Sequence, residues 1–388
     1  MKPKEYYRGR EQTYIKHFFL ERYLERVGYN IFSFSDSFVY VDGFSGPWRS
    51  SDSEYEDTSF VIALNQLTKI REVFQAQSRN VNFRCVFVEK DQSAFEKLEE
   101  AIHRFPGIEI KPIHGEFENC NSTILDYIKR DFSLVFIDPT GWTGFEFLKI
   151  AAILRHRPGE VIVNFMYDDI NRHISDPRPE QAAGFRELFA RDDWKAAWLD
   201  KQNGGQSREE ALLSLFMEGL GKRGNFPFVT HTRILKPLAN RTYFYLVYAT
   251  RHVKGLVEFR RIEQQAIQEQ ERIRFDVKQL DDIERTGQSE LFDSAQLLDT
   301  EEALKNHRSD ALRMAQAELA KLYQLQDRWP YKELLGHVLI IPFVAETDVG
   351  EIVATQRKRG AISIPELKGR ERKPKIGQTV VVVDRSRL

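Results

Sequence analysis

Four carboxylates stand where short apolar runs of this chain stop. Asp42 follows the run 38–41, Glu89 closes 84–88, Glu116 lies just past 108–113, and Asp138 closes 133–137. Runs of this length, rich in β-branched and aromatic residues and bounded by turn formers, read as buried strands. Ligands of open parallel sheets bind outside the carboxyl ends of the strands, so the four acids are expected around one pocket. A helix N-cap accounts for an Asp in such a place better than for a Glu. Glu89 can accept hydrogen bonds from both hydroxyls of a ribose, and Glu116 is within reach of an adenine amino group. The turn Asp42-Gly43-Phe44-Ser45-Gly46 brings two glycines to the first strand end, where a missing Cβ lets the backbone approach a ligand. No G-x-G-x-x-G is present, so a pyrophosphate cradle is incomplete. Together these residues describe a pocket for a cationic, hydroxyl-rich nucleoside without phosphate, and S-adenosylmethionine fits that description.

Asp138-Pro139-Thr140-Gly141-Trp142 carries a second kind of chemistry. In amino-methyltransferases an Asp or Asn, followed by prolines and an aromatic, accepts a hydrogen bond from the target NH2 while the ring stacks on the base. One proline is present here, and Trp142 is set back by Thr140 and Gly141. Asp138 is expected to face the acceptor and Trp142 the base. A third group is electrostatic. From 357 to 375 the chain has eight basic residues, among them Arg357, Lys358, Arg359, Arg370 and Lys373, against two acidic ones, a local net of +6. Such a run suits phosphate contact, a solvated face or a docking surface, and it lacks the aromatics that base stacking needs.

The elements that must position these groups alternate. Helical periodicity over 14–27, 58–70 and 93–105 is interleaved with strands at 38–41, 84–88, 108–113, 133–137 and 161–165. Strands alternating with helices imply a parallel sheet covered on both faces. A long helical stretch to about 221 precedes strands at 228–235 and 243–250, whose connection is too short for a crossover and makes them antiparallel. An α/β domain ending in such a hairpin has the shape of the Rossmann-like class I methyltransferase sheet. Residues 261–327 read as a helical linker, acidic over 280–302. Helices expected at 331–339 and 346–359, then a small hairpin, give 328–388 the order of a winged helix.

Composition excludes several classes. Among 388 residues, 41% are hydrophobic and 30% charged, an ordinary globular mixture. Lys+Arg 57 against Asp+Glu 58 gives a net charge of -1, so total charge argues for no nucleic-acid partner. Cys85 and Cys120 cannot build a disulfide framework or hold a metal cluster alone. No apolar run approaches the ~20 residues a membrane span needs. The polar N-terminus lacks a signal peptide's apolar stretch, so a cytoplasmic protein is expected.

The segments VDGFSGP (41–47), FVEKD (87–91), HGEFEN (114–119), FIDPTGW (136–142) and VNF (163–165), in this order, resemble the bacterial three-Cys-motif partner protein family. The leading helix with Lys16-His17 and the strand ending Tyr248-Ala249-Thr250-Arg251 resemble it too, so the likeness covers roughly residues 10–260. The resemblance implies a class I methyltransferase-like cofactor fold. It also implies a separate partner protein carrying a three-cysteine, radical S-adenosylmethionine-type motif. Trp48 departs from the family turn, which continues Gly-Pro-Gly, and a ring there would narrow the methionine end of the pocket. The expectation is S-adenosylmethionine-dependent methyl transfer to nucleic acid by a domain spanning 1–260. The alternative is a non-catalytic docking protein for the cluster-bearing partner, with a vestigial pocket.

Overall fold

The computed structural model describes residues 1–46, 50, 52, 54–286, 294–368 and 370–388, so Pro47 and Trp48 lie outside the described residues. Two compact units divide the chain, Met1–Arg251 and His252–Leu388.

In the first unit α1 (Glu11–Phe32) leads into β1 (Ser37–Asp42), α2 (Ser59–Ala76), β2 (Asn82–Glu89), α3 (Gln92–Ile102) and β3 (Glu109–His114). Next come α4 (Asn121–Ile128), β4 (Phe132–Ile137), α5 (Ala151–Arg155) and β5 (Gly159–Phe165). Four helices follow, α6 (Tyr167–His173), α7 (Pro179–Phe189), α8 (Trp194–Asn203) and α9 (Arg208–Gly224), before β6 (Phe228–Leu235) and β7 (Thr242–Thr250). The seven strands form one sheet in the order β3-β2-β1-β4-β5-β7-β6. The first five run parallel, and β7 is antiparallel to both β5 and β6. This is the Rossmann-like class I methyltransferase sheet. Its chain reversal at β6–β7 follows from a connection too short to carry a crossover helix.

Burial on both faces explains why the strands read as continuous apolar runs. In β1, Val39 and Val41 join a core with Ile124, Val135 and Phe216 on one face. Phe38, on the other, packs edge-on against Phe83, which meets Phe32 of α1 at 4.6 Å between ring centroids. Two differences from the sequence expectation have local causes. α4 spans eight residues, too short to show a repeating helical pattern. The long helical stretch after β5 is cut at Pro177 and Pro179 and again at Gly204-Gly205, since proline and paired glycines interrupt helices. α9 then restarts on a capping box made by Ser207 and Glu210.

The second unit comprises α10 (Val253–Thr286), α11 (Ser294–Leu325), β8 (Arg328–Pro330), α12 (Tyr331–Val338), α13 (Glu346–Lys358), β9 (Ile362–Ser363) and β10 (Thr379–Val382). Its three strands form an antiparallel sheet in the order β8-β10-β9. The division of the chain falls at Arg251, not at 260, and residues 261–327 do not stand apart as a linker. α10 buries Phe259, Ile262, Ala266 and Ile273, and α11 buries Ala315, Leu319 and Tyr323. The many charges on these helices hide a narrow apolar stripe. Arg260 and Glu263 of α10, each about 1% exposed, form an ion pair at 2.7 Å. Arg260 also donates to the carbonyls of Leu339 and Ile340, and Glu263 accepts from the Phe343 amide. β8 escaped the sequence because three residues ending in proline carry no strand pattern.

Candidate functional site

Asp138 sits one residue past the carboxyl end of β4, and neighbouring elements anchor both of its oxygens. Lys16 of α1 pairs with Oδ2, and Asn164 Nδ2 of β5 donates to Oδ1 at 2.6 Å. β4 and β5 are adjacent and parallel, pairing Ile137 with Val163, which brings the next residue of each strand side by side. The three side chains line a cavity of about 330 Å³ over the carboxyl ends of β1, β4 and β5. Phe44, Gly46, Pro139, Thr140, Met166 and Tyr243 also face it, with Gly9, Arg10 and Thr13 from the N-terminal segment. A position beyond the strand ends is where open parallel sheets place their ligands.

His17 lines the same cavity, and its Nδ1 lies 3.1 Å from the Tyr7 hydroxyl. Burial, reinforced by Lys16 and Arg10, holds the imidazole well below its usual pKa, so it is neutral at physiological pH. Arg10 donates to Asp57 Oδ2 at 2.9 Å, and Ser50 donates to the other oxygen of Asp57. These pairs close one flank of the cavity.

The first turn is built around Asp42. Its carboxylate is fully buried, accepting the Phe44 amide at 3.0 Å and the Ser59 hydroxyl at 2.6 Å. Burial outweighs these two hydrogen bonds and raises the carboxyl to about 6. Ser45 is buried as well; its hydroxyl donates to the Asp42 carbonyl and its amide to Val88 O. Asp42 and Ser45 therefore shape the loop, while Phe44 and Gly46 form its cavity wall. At Gly43 a Cβ would fall 2.9 Å from the Phe117 ring, so glycine is required there by packing.

Glu89 is 7% exposed at the end of β2. Its Oε1 accepts the Asp91 amide at 2.7 Å, and Oε2 has no protein partner among the described residues. Glu116 is exposed beyond β3 and accepts from Asn119 Nδ2. Neither residue lines the 330 Å³ cavity, which lies nearer β4 and β5. Trp142 is also outside it. Its indole stacks on Phe185 at 5.2 Å and lies 5.0 Å from His173, against the α6–α7 helices. In the other unit Arg357, Lys358, Arg359, Arg370 and Lys373 are all exposed. Lys373 pairs with Glu351, and Arg357 donates to the Glu371 carbonyl.

Sequence reasoning gave Lys16, His17, Asn164, Arg10 and Asp57 no role in the site. Lys16-His17 and VNF were visible as motifs, but nothing in their spacing ties them to a residue up to 122 positions away. No family model matches the chain, and no curated protein does. Solved structures resemble it at low identity. A Legionella pneumophila protein of the DUF519 family aligns at 13% identity with a TM-score of 0.35, over 60% of this chain and 84% of that one. A loganic acid methyltransferase solved with SAH aligns at 10% identity and 0.30, over 69% and 85%. DszA carbon methyltransferase aligns at 11% and 0.27, over 55% and 47%. At these values the matches say nothing of what this chain binds, and the site rests on its own geometry.

Proposed function

We propose that the first unit is an S-adenosylmethionine-dependent methyltransferase acting on an amino group of a nucleic acid. The observation that carries the reading is Asp138, a carboxylate anchored by Lys16 and Asn164 at a strand end and facing a cavity. The pocket suits a sulfonium nucleoside in two respects. An anionic carboxylate and the Phe44 ring lie together on the cavity wall, and outside that cavity, at the end of β2, Glu89 keeps one oxygen without a partner among the described residues. Phe44, Gly46, Glu89 and Glu116 would hold the cofactor, with Asp42, Gly43 and Ser45 acting through the turn they build. When bound, S-adenosylmethionine supplies an electrophilic methyl group. Asp138 accepts a hydrogen bond from the acceptor amine and steers the nitrogen lone pair toward the cofactor side. The carboxylate also offsets positive charge that develops on that nitrogen. His17 and the Arg10–Asp57 pair shape the flank of the cavity, and Trp142 acts from outside it by bracing the loop that carries Asp138.

The likeness of VDGFSGP, FIDPTGW and their companions supports a place in the three-Cys-motif partner family, and with it a cluster-bearing partner protein. In the second unit, the strand and helix order with an exposed basic run supports a winged-helix-like module that contacts nucleic acid through Arg357, Lys358, Arg359, Arg370 and Lys373. No described helix is long and apolar enough to cross a membrane, and we place the protein in the cytoplasm. Calorimetry on the full chain with S-adenosylmethionine and S-adenosylhomocysteine tests the central reading. Saturable binding of both is expected. Heat-silent titrations of a folded protein, repeated at two temperatures, would leave the docking role in its place.

A further inference from the structure

β5 ends level with Tyr245 of β7, so the β6–β7 connection projects past the sheet edge over which the cavity lies. Cations gather on that projection and on the helices beside it. Lys236 donates to Oδ2 of Asp168 on α6 at 2.9 Å and Arg241 to Oδ1 at 3.1 Å, so one buried carboxylate serves two cations. Arg172, four residues along α6, pairs with Asp169 at 3.0 Å. Arg208 of α9 is held by neutral groups, Asn171, Ser175 and the face of Trp198. Arg233 of β6 pairs with Glu209 at 3.5 Å. These five basic residues against three carboxylates leave a local net of +2, and the neighbouring pair Asp176–Arg178 adds nothing to it. The group adjoins the cavity. Lys236 Nζ lies 5.8 Å from the ring centroid of Tyr243, a cavity residue, and α6 begins directly after Met166, another.

Stability accounts for part of this arrangement. Buried Asp168 needs one cation to offset its desolvation, and a second on the same carboxylate brings positive charge that nothing there neutralises. The heads stay open to water: the side chains of Arg241 and Arg172 are 65% and 62% exposed. Surplus charge beside a cleft attracts and orients an anion. Guanidinium forks match phosphate oxygens, and phosphate contacts fix the register of a strand without reading its sequence. A base that enters the cavity leaves its flanking phosphates at the rim, where these cations stand.

We propose, resting on the nucleic-acid reading above, that Arg172, Arg208, Arg233, Lys236 and Arg241 form a phosphate-binding rim on the first unit. The rim holds the substrate strand beside the cavity and is additional to the basic run 357–375. Fluorescence anisotropy of the full chain with labelled mixed-sequence oligonucleotides, single-stranded and duplex, tests it over a salt series. Arg172→Gln/Arg241→Gln removes the two most exposed cations and leaves Lys236 on Asp168, so the buried carboxylate keeps a partner. It should flatten the log–log salt slope by about 1.4–1.8 units, the release expected for two lost phosphate contacts. Arg172→Lys/Arg241→Lys keeps both charges and should keep the slope. Lys69→Gln/Lys97→Gln takes two exposed cations from α2 and α3 and should leave the wild-type slope. An unchanged slope in Arg172→Gln/Arg241→Gln would overturn the proposal. So would an equal flattening in the lysine-substituted arginine pair or in the α2–α3 control, because position-specific charge would then not be the cause. Displacement of the labelled strand by polyglutamate as readily as by unlabelled oligonucleotide would assign the rim to an acidic protein segment and overturn it too. If the wild type binds neither oligonucleotide, the nucleic-acid reading fails and the rim with it, a result distinct from binding that the rim variants leave unaltered.

Discussion

Replacing Asp42 by Asn isolates the carboxylate under the first turn. The folded protein holds this proton up to about pH 6, against 3.8 for the free side chain, because burial dominates over the bonds from Ser59 and Phe44. At about 1.4 kcal/mol per pH unit, the gap between 3.8 and about 6 corresponds to about 3 kcal/mol. The sign follows from proton uptake. Between these two values the native state binds more protons than the unfolded chain, so this contribution to stability is full below 3.8 and is lost as the pH rises through about 6. Asn cannot ionise, yet its oxygen can still accept the Phe44 amide, and the Ser59 hydroxyl can rotate to accept from its NH2. Urea unfolding of both proteins from pH 3 to pH 8 should therefore show the variant gaining on the wild type by about 3 kcal/mol as the pH rises, then a constant difference. Hydrogen exchange at β1 reads the first unit by itself, alongside circular dichroism of the whole chain. Parallel stability curves across that range would show that Asp42 titrates like an exposed carboxyl and that the buried-turn account is wrong.

Glu89→Ala should weaken S-adenosylhomocysteine binding by about 1.5–3 kcal/mol in calorimetry, the range for hydrogen bonds to a charged group, and unchanged affinity would remove the ribose assignment. Arg260→Ala strips the partner from the buried Glu263 and uncaps two carbonyls, so it should cost about 3–5 kcal/mol, read as faster hydrogen exchange across 252–388 with the first unit unaffected. Changing Arg357, Lys358 and Arg359 to Gln should flatten the salt dependence of duplex binding by about one unit of log–log slope for each phosphate no longer neutralised, measured by fluorescence anisotropy. An unaltered slope would assign those charges to solvent or to a protein partner.

Periodicity in the sequence already specified the alternation of strands and helices, because each strand of a two-face-buried sheet needs an uninterrupted apolar run. The run expected at 133–137 is β4 (Phe132–Ile137) almost to the residue, and the short connection before β7 fixed its antiparallel sense without any long-range information. Carboxylates at successive strand ends were legible for the same reason, since parallel strands stop on one edge. What the side chains do there was not. Asp42 and Asp138 both stand at the ends of neighbouring parallel strands, yet one turns inward to hold its own loop and the other meets a cavity. That difference depends on Ser59 lying beneath the first and on Lys16 and Asn164 lying beside the second, partners set by which strands and helices become neighbours. Trp142 likewise follows its contact with Phe185, a residue on a helix whose place the sequence does not encode locally. Elsewhere charge dominates a linear reading of α10 and α11, whereas burial outside their acidic stretch is decided by the narrow apolar stripe left between the charges. Local pattern reports whether a residue prefers core or water, and only the crossover of chain segments decides which other residue it meets there.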